Sequence, residues 1–395
     1  MEVTKKKYND ISGINNFNNL DKSEKVLDNE KLSILKLKKK IGTDYTYKHK
    51  VVWPNVIGFI ILHVLFVWAI FLLITGRVKL MTFLWTLLVA YTGSEGVTVG
   101  AHRLYSHKSF KAKPVLRAIL ILVQTIAGQN CIFIWSRDHR LHHRYSDTDA
   151  DPHNSKRGFF FSHMGWLMTK KHPYVIEIGR KIDMSDLAAD WMIMFQKRYY
   201  YYLYVPLSII LPVWVPVRYF GESIRTSFLV AYIFRWMTSL HGTWLVNSAA
   251  HLYGTRPYDK NLQPVESWFV SWLSLGEGWH NYHHVFPWDY KAAEFTRHYN
   301  FTASLIRFFE RIGLAYDLKT ASPEMVDKRI LRTGDDTHEH WGTEAARAAV
   351  AVDWGPLHPF NPTYNVTYPP PNSTVVEAGL PLYHEDDILL DKKER

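Results

Sequence analysis

Residues 52–75 read VWPNVIGFIILHVLFVWAIFLLIT, residues 76–79 GRVK, and residues 80–100 LMTFLWTLLVAYTGSEGVTVG. The first stretch contains no Asp, Glu, Lys or Arg, and a helix of about 20 such residues crosses the apolar core of a bilayer. The second is a further span, with one intruding carboxylate at Glu95. Joined by a short turn, the two form a hairpin that brings the chain back to its starting side. His102 then stands at a span end, in the same compartment as the lysine-rich residues 1–50. The positive-inside bias assigns that compartment to the cytosol.

The pattern recurs. Tyr201 to Tyr219 and Ser227 to Ala250 predict a second hairpin, the latter span holding Arg235. Val115 to Trp135 is also apolar, but Arg117, Gln124, Gln129 and Asn130 interrupt it, so it is expected to lie at the interface or to re-enter. A crossing there would divide the histidine clusters between two compartments. Ser267 to Leu275 is too short to span. The expectation is an all-α integral membrane protein of four transmembrane helices (about 52–75, 80–100, 201–219 and 227–250) in two hairpins, with a cytosolic, histidine-rich helical cap. A basic cytosolic tail (1–50) precedes the membrane domain (51–315), and a polar, loop-rich cytosolic tail (316–395) follows it. Both termini are then cytosolic, and the Asn-x-Thr/Ser sequences at Asn300, Asn365 and Asn372 stay unmodified.

The net charge of +10 suits nucleic acid, an anionic membrane surface or an acidic ligand. The sequence carries no nucleic-acid module, which leaves the last two. Cys131 is the single cysteine, so an intrachain disulfide, a zinc knuckle and a thiol redox pair are excluded. Metal chemistry must use nitrogen and oxygen ligands, and the chain has twenty histidines.

Three clusters stand out: His102-Arg-Leu-Tyr-Ser-His107, His139-Arg-Leu-His142-His143 and His280-Asn-Tyr-His283-His284. His-x-x-His-His sets three imidazoles at i, i+3 and i+4 on one helical face, where neutral rings can converge on a metal. One such triplet is weak evidence. Two identical triplets and a pair beside a span, all in one compartment, are not an accident of composition. Eight imidazoles are too many for one ion, so two metals are implied. Imidazole suits iron, copper, zinc or nickel, and the count does not choose among them. The setting does: an apolar substrate at a membrane offers few reactive groups besides C–H bonds, and iron with dioxygen attacks those.

His251 lies apart, in Asn247-Ser-Ala-Ala-His251. An isolated histidine is usually structural, but its position at the same membrane level argues for a ninth ligand. Asn247, four residues earlier on the same face, would orient a water on the second metal. His241 sits deeper in the span and reads as structural. His153, His163 and His172 lack triplet spacing and read as supporting or structural. Asp138 and Glu277 are placed to hydrogen-bond the outer nitrogens of ligand imidazoles.

Six stretches carry a resemblance. They are Gly-Ala-His-Arg-Leu-Tyr-Ser-His (100–107), Arg-Asp-His-Arg-Leu-His-His (137–143), Asp-Pro-His-Asn (151–154), Gly-Phe-Phe-Phe-Ser-His (158–163), Asn-Ser-Ala-Ala-His (247–251) and Gly-Glu-Gly-Trp-His-Asn-Tyr-His-His (276–284). Over residues 50–315 the chain closely resembles the animal acyl-CoA delta-9 desaturases, the stearoyl-CoA desaturase family. The resemblance implies four spans with a cytosolic cap, a kinked acyl tunnel, an endoplasmic reticulum membrane location and electrons from cytochrome b5 and its NADH-dependent reductase. It implies metal ligation by His102, His107, His139, His142, His143, His251, His280, His283 and His284, with Asn247 acting through water. It also implies contact with the acyl-CoA head group at Asn55, Asn130, Arg137, Lys170 and Lys171, cations suiting phosphate on charge alone. Two features depart from the family: Glu95 stands where it usually has an apolar residue, and the two tails match only loosely.

The reading is dioxygen-dependent insertion of a cis double bond, at delta-9, into a saturated fatty acyl-CoA by two iron ions. Its nearest alternative is the same centre acting as a fatty-acyl hydroxylase or as a desaturase of another regiospecificity. Front-end and sphingolipid types often carry a His-Pro-Gly-Gly haem domain or replace the first histidine of the third cluster; here His280 is present and no haem domain precedes Val51. A histidine-based transporter would place its site near the bilayer midplane, whereas these clusters stand at span ends. Glu95 precedes His102 by seven residues and, on a continuous α-helix, shares its face about two turns deeper. There it is either hydrogen-bonded to Ser94, Thr92 or a neighbouring helix, or borders the acyl tunnel or the metal site and narrows the range of accepted chains.

Overall fold

Pro54, in a first turn where its missing N–H goes unneeded, starts helix α1 (Trp53–Ile74), and Gly76 at φ +66° lets the chain reverse behind it. Helix α2 (Leu80–Glu95) returns. The computed structural model describes residues 33, 36–38, 40–295 and 300–343. In it the second helical run does not stop at Gly100 as expected, but continues as a π-helical segment, Gly96–Ser106, buried throughout. Gly96 permits the close contact on which this rests. A Cβ there would stand 2.3 Å from the Gln124 nitrogen of helix α3 (Pro114–Ala127).

The apolar stretch 115–135 is not one straight helix. Helix α3 and helix α4 (Ile132–Tyr145) are bent by 82°, with Gly128 and Asn130 at positive φ between them. The polar residues that interrupt the stretch hold the bend. Gln124 donates to the Asn130 carbonyl at 2.8 Å and accepts from Gln196 at 2.7 Å, and Arg117 pairs with Asp190.

Helix α5 (Tyr200–Phe220) and helix α6 (Arg235–Asn247) follow. The second is entered without a break through Ile224–Ser227 and the π-helical Phe228–Phe234. Among the described residues α1 and α5 are each long and apolar enough to cross a membrane, and the bent pair α3–α4 passes the same test taken together. Arg235, fully buried, satisfies its guanidinium with the carbonyls of Ala231, Ile126 and Ser208 at 2.9–3.1 Å, as an ionisable group in an apolar bundle must. The two hairpin turns meet. Glu222 accepts from Lys79 N at 3.0 Å and from Thr82 at 3.1 Å, which puts both turns at one end of the bundle.

At the other end lie helix α7 (His280–Val285), helix α8 (Phe301–Arg311) and helix α9 (Pro323–Thr333). Lys111–Ala112 pairs antiparallel with Ala315–Tyr316 and ties the chain beyond His107 to the end of α8. The segment from 317 to 343 differs from the loop-rich expectation. Val326 and Ile330 of α9 are buried with Tyr258, Tyr282, Phe286 and Trp288, directly behind the third histidine cluster. Asn300 is buried as the N-cap of α8, accepting from Ala303 N at 3.0 Å and donating to the Lys291 carbonyl at 2.6 Å. Asn365, Asn372 and most of both tails lie outside the described residues.

Candidate metal centre

On an α-helix two residues five apart point about 140° away from each other; π-helical i→i+5 bonding brings them about one turn apart. His107 N donates to the His102 carbonyl at 3.1 Å, and the two rings stand 4.9 Å apart. The π-helical run is therefore what makes the first cluster a pair. Helix α4 supplies His139, His142 and His143, and α7 supplies His280, His283 and His284. Ser248, at φ −116° and ψ −74°, breaks the chain after α6 and starts the short helix that carries His251.

These nine histidines fall into two groups. The first is His102, His107, His139, His143 and His283; the second is His142, His251, His280 and His284. In the first, His102 and His283 approach at 2.9 Å between Nε2 atoms, His107 and His139 at 2.8 Å, and His143 and His283 at 3.0 Å. In the second, the separations are 3.3 Å for His142–His284 and 3.1 Å for both His251–His280 and His280–His284. His143 and His284 stack at 4.1 Å between the groups. Burial first, and then the neighbouring imidazoles, holds the pKa of His107, His139, His143, His280, His283 and His284 well below the ordinary value. These six rings are neutral at pH 7. Facing neutral nitrogens can share only one proton between two, so each group keeps inward lone pairs, and neutral imidazole is the form that binds a metal. The donor sets fit two cations.

Carboxylates hold several of the rings from outside. Glu277 accepts from His102 Nδ1 at 2.9 Å and from Arg103 at 2.8 and 3.2 Å. Burial alone would raise its pKa, but Arg103 and then His102 bring it down to about 2. Asp147 meets His251 Nδ1 at 3.2 Å and Asp151 meets His142 Nδ1 at 2.9 Å. Burial opposes their ionisation too, yet His251 and His142 respectively hold them below the usual carboxylate range. Glu277 thus orients an imidazole as expected, whereas Asp138 does not: it is taken by Arg137 at 2.7 Å and Lys171 at 2.6 Å. Asp147 and Asp151 were missed, although the alternation Asp147-Thr-Asp149-Ala-Asp151 directly after the second cluster is a visible signal.

The other histidines have local partners. The His153 ring lies tilted 4.4 Å from that of His142, and its Nδ1 is 3.4 Å from Asp151. His163 bonds His241 at 3.0 Å and Ser248 at 2.9 Å. His172 accepts from Tyr174 N at 3.2 Å and caps the helix Pro173–Gly179.

Two cavities, of about 260 and 500 Å³, share Trp135, His139, Thr243 and Asn247 on their walls. The smaller reaches His102, His142 and His280 and runs past Val97, Val246 and Leu273. The larger is bordered by Asn55, Asn130 and Asp138. Asn55 donates to the Leu167 carbonyl at 2.7 Å. Of the five residues read as acyl-CoA contacts, Asn55 and Asn130 thus lie on this wall, Arg137 and Lys171 gather on its Asp138, and the exposed Lys170 pairs its backbone with Lys50 at 2.8 Å. Glu95 is on neither wall. The π-helical segment that intervenes turns His102 away from Glu95's face.

Helices of membrane length, with nine buried or half-buried histidines gathered where two cavities meet, define a histidine-rich helical membrane protein suited to metal binding. The chain belongs to the fatty acid desaturase family, whose sequence model matches residues 77–318, and is an oxidoreductase of that family. It is 50% identical over 297 residues to an acyl-CoA Delta-9 desaturase of Acheta domesticus, covering 75% of this chain and 82% of that one. An acyl-CoA Delta12-desaturase of Acheta domesticus is 48% identical over 297 residues, 75% and 83% of the two chains. The stearoyl-CoA desaturase of Homo sapiens is 48% identical over 304 residues, 75% and 84%.

Proposed function

We propose that this chain inserts a cis double bond at the delta-9 position of a saturated fatty acyl-CoA. Dioxygen is the oxidant, and cytochrome b5 with its NADH-dependent reductase supplies electrons. Two hydrogens leave adjacent carbons and, with two electrons and two protons from outside, reduce dioxygen to two waters. The observation that carries this reading is that both histidine groups line the smaller cavity, through His102 and His139 and through His142 and His280, and that His139 and Asn247 form a wall it shares with the larger.

Two iron ions, one to each group, would be held by His102, His107, His139, His143 and His283 and by His142, His251, His280 and His284, and Asn247 would serve the second through water. The chemistry that iron supplies when bound is oxidation of unactivated C–H bonds at the expense of dioxygen. The chain's own residues do the rest. Glu277, Asp147 and Asp151 fix the orientation of His102, His251 and His142. The apolar wall from Val97 to Leu273 excludes water and holds the acyl chain. Asn55, Asn130, Arg137, Lys170 and Lys171 receive the head group.

The same reading places the enzyme in the endoplasmic reticulum membrane. Its four spans form two hairpins, its cap and both termini are cytosolic, and the membrane domain covers residues 51–315. The turn-to-turn contact of Lys79 with Glu222 supports two hairpins of one orientation. The likeness to a Delta12-desaturase favours a second reading, insertion at another position. Gas chromatography and mass spectrometry of lipids from a desaturase-deficient host expressing the chain separate the two. Delta-9 monoenes are expected; another double-bond position selects the second reading, and hydroxylated acyl chains overturn both.

A further inference from the structure

Asp147, Asp149 and Asp151 alternate along one turn, and all three are buried. The outer two face the second histidine group. Asp149 faces away from it, towards the amino-terminal segment. Its Oδ2 accepts from Asp44 N at 2.8 Å, its Oδ1 accepts from Arg157 at 2.6 Å, and its own N–H donates to the Gly42 carbonyl at 2.7 Å. Thr43 donates to the Asp147 carbonyl at 3.3 Å and accepts from Asn154 at 2.9 Å. Arg157 closes the circuit on the Asp44 carbonyl at 3.0 Å. Just before it Ile41 packs against the cluster that includes Leu141, Tyr145 and Ala150, and Lys38 lies within electrostatic reach of Asp147 and Asp151.

The turn is tied internally by hydrogen bonds. Asp151 accepts from Asp147 N at 2.8 Å, and Asp147 accepts from Ser155 Oγ at 2.6 Å. A displacement of Asp149 is therefore passed to both of its neighbours, and through them to His251 and His142. The first histidine group takes its carboxylate from elsewhere: Glu277 belongs to another segment and to the Arg103 pair.

We propose that Gly42–Asp44 is a strap that holds the Asp147–Asp151 turn, with Asp149 as its positioning residue, and so sets the metal affinity of the second histidine group alone. The strap lies outside the residues that the family model matches. The proposal rests on the reading of the two groups as metal sites. Its physical basis is that outer hydrogen bonds fix the ring orientation and tautomer of ligand imidazoles, and losing them costs about 10–100-fold in metal affinity. The strap acts one bond further out, so the lower end applies.

The test is a chelator titration of full-length protein loaded with ferrous iron, read by metal analysis, for the wild type and for Asp44→Pro, Asp149→Asn and Thr43→Val. Asp44 is exposed, and its replacement removes the strap's N–H without touching the buried turn. The expected wild type holds two ions. Asp44→Pro and Asp149→Asn should release one ion at about tenfold lower chelator concentration and keep the other as in wild type, with excess iron restoring the second. Thr43→Val should show the same selective loss at smaller amplitude. Wild-type release in all three variants, or loss of both ions in parallel, overturns the strap. A wild type that binds no metal overturns the metal reading, and the strap with it.

Discussion

Glu277 lies 2.9 Å from His102 Nδ1 through one oxygen and 2.8 Å from Arg103 through the other. One carboxylate thus balances a fully buried guanidinium and directs a ligand candidate: with its Nδ1–H hydrogen-bonded to Glu277, His102 turns its Nε2 toward the group it shares with His283. Glu277→Gln keeps the size and removes the charge. Metal affinity should fall about 10–100-fold, and the unpaired Arg103 should destabilise the fold by about 3–5 kcal/mol. Metal release and thermal melting on the same preparation check both; a variant that matches wild type in each would remove Glu277 from this role.

Active enzyme should carry two iron ions per chain, since nine converging imidazoles exceed what one ion accepts. Metal analysis of material with measured turnover is the check. Zinc displaces ferrous iron at imidazole sites, so inactive preparations holding zinc do not count against the prediction. One ion per fully active chain does.

His142→Ala and His172→Ala separate ligand from neighbour. His142 faces His284 at 3.3 Å and Asp151 at 2.9 Å, so its loss should abolish desaturation while the protein still inserts in the membrane. His172 is buried but spends its lone pair on Tyr174 N. Its replacement should cost about 1 kcal/mol, as for a lost helix cap, and leave metal content and turnover near wild type. Equal loss of activity in the two variants would show that this sorting of histidines is wrong.

Much of this was legible in the sequence, for physical reasons. The i, i+3, i+4 triplets report directly on a helical face, and α4 and α7 carry them as read. The spacing of His102 and His107 is unhelpful on an α-helix and becomes a pair only through the π-helical run, which nothing local announces. Asp147 and Asp151 act on His251, 104 residues away, and on His142, nine residues away; only the tertiary fold shows that Asp138, just as near in sequence, turns to Arg137 and Lys171 instead. Polar composition beyond 317 reads as a tail because α9 buries only one face, that of Val326 and Ile330.

Glu266 gives a pH signature. It is buried behind α7 and accepts from Tyr282 N at 2.8 Å. Burial pushes its carboxyl up to about 8, with the Tyr282 N–H opposing, against roughly 4.3 in an unfolded chain. Between those values the folded chain holds a proton that the unfolded chain has released. Its contribution is therefore complete below about pH 4.3 and is lost as pH rises through about 8. Melting temperature should fall from about pH 6 to 8.5, and Glu266→Gln, permanently neutral, should flatten that slope. Parallel slopes for the two proteins would exclude Glu266 as the titrating group.

Glu95 is the departure from the family that the structure explains. Its Oε2 accepts from Thr98 and from Thr302 of α8, each at 3.1 Å, and it is buried off both cavity walls. The carboxyl therefore serves to pin α8 against the second helical run rather than to meet the acyl chain. Glu95→Leu should leave the profile of C14, C16 and C18 products unchanged. The loss of stability should be small, because both hydroxyls retain a carbonyl partner: Thr98 donates to Ser94 at 3.2 Å and Thr302 to Leu275 at 3.3 Å. Product chain lengths measured beside a melting curve decide it. A shifted profile with an unchanged melting temperature would place Glu95 on the tunnel after all, since only contact with substrate moves specificity without moving stability.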